Sequence, residues 1–184
     1  MGDVIAYFSS FDPSIIGFQV EEDINQKRVK INTIHRMSDG GTASIPFNEE
    51  SDGTLKMFAL YPSLHDTLEK GGILFVDELN ASLHPLLVRN ILITFLNSEI
   101  NLKHAQLVFT THDSWQLSNH LLRRDEIWFT EKDDYGVSSL YSLADFLDDD
   151  GIKIRKDENY EKNYLLGKYG AIPTLKYFDM FKEE

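Results

Sequence analysis

Two short stretches combine residue types that do chemistry with a pattern able to bring them to one place. In Gly71-Gly72-Ile73-Leu74-Phe75-Val76-Asp77-Glu78, four consecutive apolar residues run into an acidic pair. A solid apolar run reads as a strand buried on both faces, and ligands of open α/β sheets gather beyond the carboxyl ends of such strands. One carboxylate there can hold a magnesium-bound water while the other polarises an attacking water. The same residues also fit a core strand that ends in an acidic turn. The second stretch, Gln106-Leu107-Val108-Phe109, ends in Thr110-Thr111-His112-Asp113 and puts a histidine at an equivalent edge. From a neighbouring strand that imidazole can reach the same ligand, although a satisfied structural histidine fits as well.

Two polar turns add further groups. Glu49-Glu50-Ser51-Asp52-Gly53-Thr54 feeds a helix, where serine and glycine either offer a hydroxyl and free amides to an anion or form an ordinary cap. Leu79-Asn80-Ala81-Ser82-Leu83-His84-Pro85 joins the acidic pair to another helix. The acidic run Asp148-Asp149-Asp150 has no basic or histidine residues gathered round it and reads as a solvated loop.

The elements that must position these groups follow from periodicity. Residues 3–10 end a helix broken at Asp12-Pro13. Ile15 to Val20, Val29 to His35 and Thr42 to Phe47 are β-branched runs between polar or glycine-bearing turns, an antiparallel subsheet with Lys27, Arg28 and Lys30 on a solvated hairpin. The helix after Ser51 presents Leu55, Phe58, Ala59 and Leu64 on its apolar face, with Pro62 expected to kink or split it. Leu87, Ile91, Phe95 and Leu96 form the core stripe of the next helix. Beyond His112, the pattern predicts a short helix over Trp115 to Leu122. Strands at Glu126 to Phe129 and Val137 to Leu143 are expected to close the sheet, and a helix with a docked turn follows in 160–173.

With 184 residues, 42% of them hydrophobic, the expectation is one globular domain. The absence of cysteine removes disulfides, thiolate metal sites and cysteine nucleophiles, and fits a reducing, cytoplasmic compartment. No apolar run reaches membrane-span length, and the opening residues match neither a secretory signal nor a myristoylation pattern. A net charge of −12 disfavours direct binding to nucleic acid.

Taken together, Ser51-Asp52-Gly53, Ile73 to Glu78, Ser82-Leu83-His84 and His112 occur in the order and approximate spacing of the signature loop, Walker B strand, D-loop and switch histidine of an ABC-type ATPase. The chain resembles the prokaryotic AAA-type ABC ATPases related to the OLD (overcoming lysogenization defect) proteins, which often occur in phage-defence systems. The resemblance covers most of the chain, including the segments ESDGT, VDELNASLHP, FTTHD and KYGAIP. It implies an α/β P-loop NTPase sheet with flanking helices, with ATP and Mg²⁺ as cofactors. By the same resemblance Asp77 would hold the magnesium shell, Glu78 would polarise the hydrolytic water and His112 would contact the γ-phosphate. Ser51 and Gly53 would reach ATP held by a second subunit, and Ser82 to His84 would run along the seam of a head-to-tail homodimer.

The chain departs from that pattern in one large respect. No Gly-x-x-x-x-Gly-Lys-[Ser/Thr] occurs, so the phosphate cradle, its lysine and the magnesium-binding hydroxyl are absent. Asp52 also stands where a glycine is commoner in the signature. The resemblance therefore implies a single partial domain over 1–184, with the amino-terminal P-loop lobe missing. Its parts are an antiparallel region in 1–48, the motif-bearing core in 49–146 and a helical extension in 147–184. The expectation is a piece of a longer ATPase or a split gene product that works with a P-loop-bearing lobe or subunit and with a nuclease or effector partner. The alternative is a catalytically inactive interaction or assembly module. A metal nuclease built on Asp148 to Asp150 lacks both supporting acids and a basic groove.

Overall fold

The computed structural model describes residues 2–23, 28–148 and 151–173. Two compact units divide at His112/Asp113, whereas the sequence reading drew its internal boundaries after residues 48 and 146.

In the first unit, helix α1 (Gly2–Ser9) precedes strands β1 (Ile15–Asp23), β2 (Arg28–Arg36) and β3 (Thr42–Pro46), which pair antiparallel in the order β1-β2-β3. The predicted subsheet is therefore present; Lys27 lies outside the described residues. Aromatic residues tie it to the helices: Phe8 of α1 stands edge-on to Phe18 of β1 at 5.1 Å, and Phe47 lies 4.5 Å from Phe58.

Helix α2 (Asp52–Lys70) runs unbroken through Pro62, against the expectation of a split. Proline removes one helical hydrogen bond at a cost of about 3 kcal/mol. Met57 and Leu64, buried on either side of it, each return about 1.5–3 kcal/mol. The buried face of α2 is Thr54, Met57 and Leu64; Ala59 of the predicted stripe is exposed.

Strands β4 (Ile73–Val76) and β5 (Gln106–Phe109) pair parallel, with Ile73 opposite Gln106 and Val76 opposite Phe109. Helix α3 (Pro85–Leu96) makes the crossover, as parallel pairing demands. Its core residues are Val88, Ile91 and Leu92, whereas Leu96 of the predicted stripe is 46% exposed. The expected burial of β4 on both faces is not met. Helices α2 and α3 pack against this pair, leaving Leu74, Val76, Leu107 and Phe109 half-buried. On the alternate positions Ile73, Phe75 and Val108 are 57%, 72% and 48% exposed. The apolar run thus reflects a strand with apolar residues on both faces, of which the described residues cover one.

Gly71 closes α2 in the left-handed region at φ 77° and lies against the next connection, where a Cβ would come 2.5 Å from the Lys103 carbonyl oxygen. Gly71→Ala is expected to lower the unfolding free energy by at least the roughly 1–2 kcal/mol that a left-handed L-residue costs. The denaturant midpoint measures it, and an unchanged midpoint contradicts the strain.

In the second unit the expected helix at Trp115 to Leu122 is replaced by a 3₁₀ turn, Ser114–Gln116, followed by further turns. The Asp113 carboxylate caps that turn by accepting the Trp115 amide at 2.9 Å. Strands β6 (Trp128–Lys132) and β7 (Ser138–Ser142) form their own two-stranded antiparallel sheet and do not extend the β4-β5 pair. The segment before β6, Arg124–Glu126, is 3₁₀ and not strand.

After β7 comes helix α4 (Tyr160–Leu165), and the predicted docked turn behind it is the keystone of this unit. Tyr169 is fully buried, with its ring 5.8 Å from Phe129, and its carbonyl accepts the Tyr141 hydroxyl at 2.6 Å. Phe129 also stacks on Tyr164 at 5.4 Å. Asp149 and Asp150 of the acidic run lie outside the described residues.

The site at the ends of two parallel strands

Because β4 and β5 are parallel and in register, both strands end at the same edge, and the 77–80 turn faces residues 110–112. The Thr110 hydroxyl donates to the Asp77 carboxylate at 2.5 Å and accepts the Glu78 amide at 2.8 Å. The Thr111 hydroxyl donates to the Asn80 side-chain oxygen at 2.8 Å. His112 Nδ1 lies 2.8 Å from Glu78 Oε2, and its Nε2 lies 3.0 Å from the Asn80 amide nitrogen. Asp77, Glu78 and His112, read from separate stretches of sequence, are thus brought together.

Glu78 sits in the left-handed region at φ 51°, a conformation that costs an L-residue about 1–3 kcal/mol. Three hydrogen bonds and a buried neighbour hold it there. Thr110 takes its amide, Lys56 Nζ of α2 donates to its carbonyl at 2.6 Å, the Ala81 amide reaches the same carbonyl at 3.0 Å, and Leu79 beside it is fully buried. Partial burial holds the Lys56 ammonium below the usual lysine range, with the Glu78 carboxylate opposing that shift. The turn is therefore clamped while its carboxylate is directed outward.

The side chains of His112 and Glu78 are 73% and 53% exposed. A pair this open contributes only about 0–1 kcal/mol to stability. Their exposure leaves both side chains within reach of a ligand. One Asp77 oxygen is taken by Thr110, which leaves the other for a cation. A single carboxylate completed by water and phosphate oxygens is the ligand set that magnesium favours.

The remaining sequence candidates lie nearby in chain but make other contacts. Ser51 caps α2, its hydroxyl accepting the Thr54 amide at 3.1 Å. His84 caps α3, with Nδ1 accepting the Leu86 amide at 3.2 Å ahead of Pro85. Gly53 packs against the following turn, since a Cβ there would meet the Ser82 carbonyl oxygen at 3.1 Å; Ser82 itself has φ 59°. Lys56, Asn80, Thr110 and Thr111 were not picked out from sequence as site residues. The signal was present for the threonines, which precede His112 at the end of an apolar run where their hydroxyls must leave the strand.

The fold is mixed α/β, and the family match makes it an AAA-type domain of the nucleotide-binding, ATPase-like class. Residues 5–114 match the family model described as "AAA domain, putative AbiEii toxin, Type IV TA system", and the chain belongs to that family. No curated protein matches the chain. Among the described residues no helix is long and apolar enough to cross a membrane.

Proposed function

We propose that this chain supplies the hydrolytic half of an ABC-type ATPase, with the phosphate grip provided by a P-loop-bearing lobe or subunit. The observation that carries the reading is the meeting of Glu78 and His112 at 2.8 Å beside Asp77, at the common end of two parallel strands. The exposed Ile73, Phe75 and Val108 support it from another direction. Parallel sheets are ordinarily covered on both faces, so this face suits further structure packed against it.

In this reading Asp77 holds magnesium, which when bound neutralises charge developing on the phosphates. Glu78 orients and polarises the attacking water through the carboxylate oxygen that His112 does not occupy. His112 lies at the edge where the γ-phosphate arrives. Chemistry is positioning and electrostatic stabilisation of in-line transfer to water. Ser51 and Gly53 approach nucleotide on a second subunit, and Ser82 to His84 form part of the seam, so that ATP closes a head-to-tail dimer and hydrolysis reopens it. The resemblance to OLD-related ATPases supports a role in phage defence with a nuclease or effector partner.

The second reading, an assembly module without catalysis, is favoured by one observation: Ser51 and His84 are both engaged as helix caps. Phosphate release separates the two. Turnover is expected when the chain is combined with its P-loop-bearing lobe, and a well-folded combination that binds ATP without turnover supports the assembly module.

A further inference from the structure

Between β3 and α2 the chain carries two adjacent acids whose surroundings differ. Glu49 is exposed, whereas the Glu50 side chain is 7% exposed and turns back toward the antiparallel sheet. There its Oε1 lies 2.7 Å from Nε2 of His35 on β2, a side chain that is itself 14% exposed. The other ring nitrogen, Nδ1, lies 2.8 Å from the Ser14 hydroxyl. Ser14 is fixed in turn. The Asp12 carboxylate accepts its amide at 2.9 Å and its hydroxyl at 2.6 Å, and the Ser14 carbonyl accepts the Arg36 amide at 2.8 Å. One imidazole thus joins the 12–14 turn, β2 and the loop ahead of α2.

We propose that His35 is a positioning residue for the Ser51 to Gly53 loop: by holding Glu50 against the sheet it sets the conformation of the loop and keeps this carboxylate off the surface that Ser51 and Gly53 present. Helix capping alone does not call for the arrangement, because Ser51 already accepts the Thr54 amide. Apolar packing gives it no direction either. Phe47 anchors the start of the loop on Phe58 of α2 at 4.5 Å, a contact that leaves the rotation of residue 50 open. A carboxylate withdrawn from water needs a partner, and among the described residues the side-chain partner of Glu50 is His35. The far end of the loop is tight, since a Cβ on Gly53 would meet the Ser82 carbonyl oxygen at 3.1 Å. A shift at residue 50 therefore passes to Ser51 and to the 79–85 turn. The consequence for turnover rests on the proposed ATPase, whereas the conformation of the loop does not. In that reading a freed Glu50 joins Asp52 near the γ-phosphate of the second subunit's nucleotide and repels it.

The test is amide hydrogen exchange in the full chain, followed by NMR at Glu50 and Thr54, whose amides bond to the Phe47 carbonyl and the Ser51 hydroxyl. In His35→Leu both are expected to exchange about tenfold faster or more, with the Gln106 and Thr110 amides of the parallel pair unchanged. His35→Gln, whose side-chain amide puts a donor about where Nε2 stands, should restore the wild-type rates. If His35→Leu does not fold, Glu50→Ala, which removes the inward carboxylate itself, is expected to give the same faster exchange. Wild-type rates in a folded His35→Leu or Glu50→Ala chain overturn the proposal. Faster exchange spread evenly over the parallel pair also overturns it, since His35 is then a brace for the whole unit. In the assembly completed by a P-loop lobe, His35→Leu should lower kcat about tenfold or more with KM for ATP unchanged, because the lobe and not this loop grips the nucleotide. Unchanged kcat beside faster loop exchange refutes the positioning role. A wild-type assembly that never turns over, beside the expected exchange pattern, refutes the ATPase and leaves the holding of the loop by His35 standing.

Discussion

Glu78→Gln is expected to slow ATP hydrolysis by about a hundredfold or more in the completed assembly while leaving ATP binding intact. The amide keeps the size and rotamer of the carboxylate, and the clamp on the 77–80 turn does not depend on it. Lys56 and Thr110 hold the backbone of residue 78, not its side chain. What is lost is the negative oxygen that polarises water, together with the charged acceptor for His112 Nδ1–H. Phosphate release measured beside equilibrium nucleotide binding separates the two effects. Unchanged turnover removes Glu78 from the mechanism; a parallel loss of binding gives it a structural role instead.

The second large effect concerns affinity. The sequence has no P-loop, so the amides and lysine that neutralise the β- and γ-phosphates are not supplied by these residues. What it brings to the site is acidic: Asp77 and Glu78 at the strand end and Asp52 in the first turn of α2, in a chain of net charge −12. Lys56 is a nearby cation, and its ammonium donates to the Glu78 carbonyl. The chain alone should bind magnesium-ATP with a Kd weaker than about 1 mM and show no turnover. Adding the P-loop-bearing lobe should bring both. Calorimetry decides it: micromolar binding by the chain alone reveals a phosphate site elsewhere, and no gain with the correct lobe favours the assembly module.

The site was legible in the sequence where local pattern and tertiary role coincide. Ile73 to Val76 and Gln106 to Phe109 each end in residues that must leave the strand, and a helix lies between them, so parallel pairing and a shared edge follow. Burial was less legible. An apolar run does not state which neighbours cover it, and Phe75 is 72% exposed on a strand that reads as core. The Asn80 contacts to Thr111 and His112 cross between the strand ends, and no local spacing encodes them. Pro62 shows local propensity overridden by packing, since the buried Met57 and Leu64 hold α2 together across it. At Trp115 the capping signal of Asp113 is present, yet only a single 3₁₀ turn follows it. The separate pairing of β6 with β7 was hidden because strand propensity carries no information about which sheet a strand joins.

The most direct test of the central claim is a structure of the Glu78→Gln assembly with magnesium-ATP. The account predicts magnesium against the Asp77 carboxylate and a γ-phosphate oxygen within hydrogen-bond distance of the His112 ring, at the shared end of β4 and β5. Nucleotide seated away from that edge, with His112 and residue 78 still facing solvent, contradicts it.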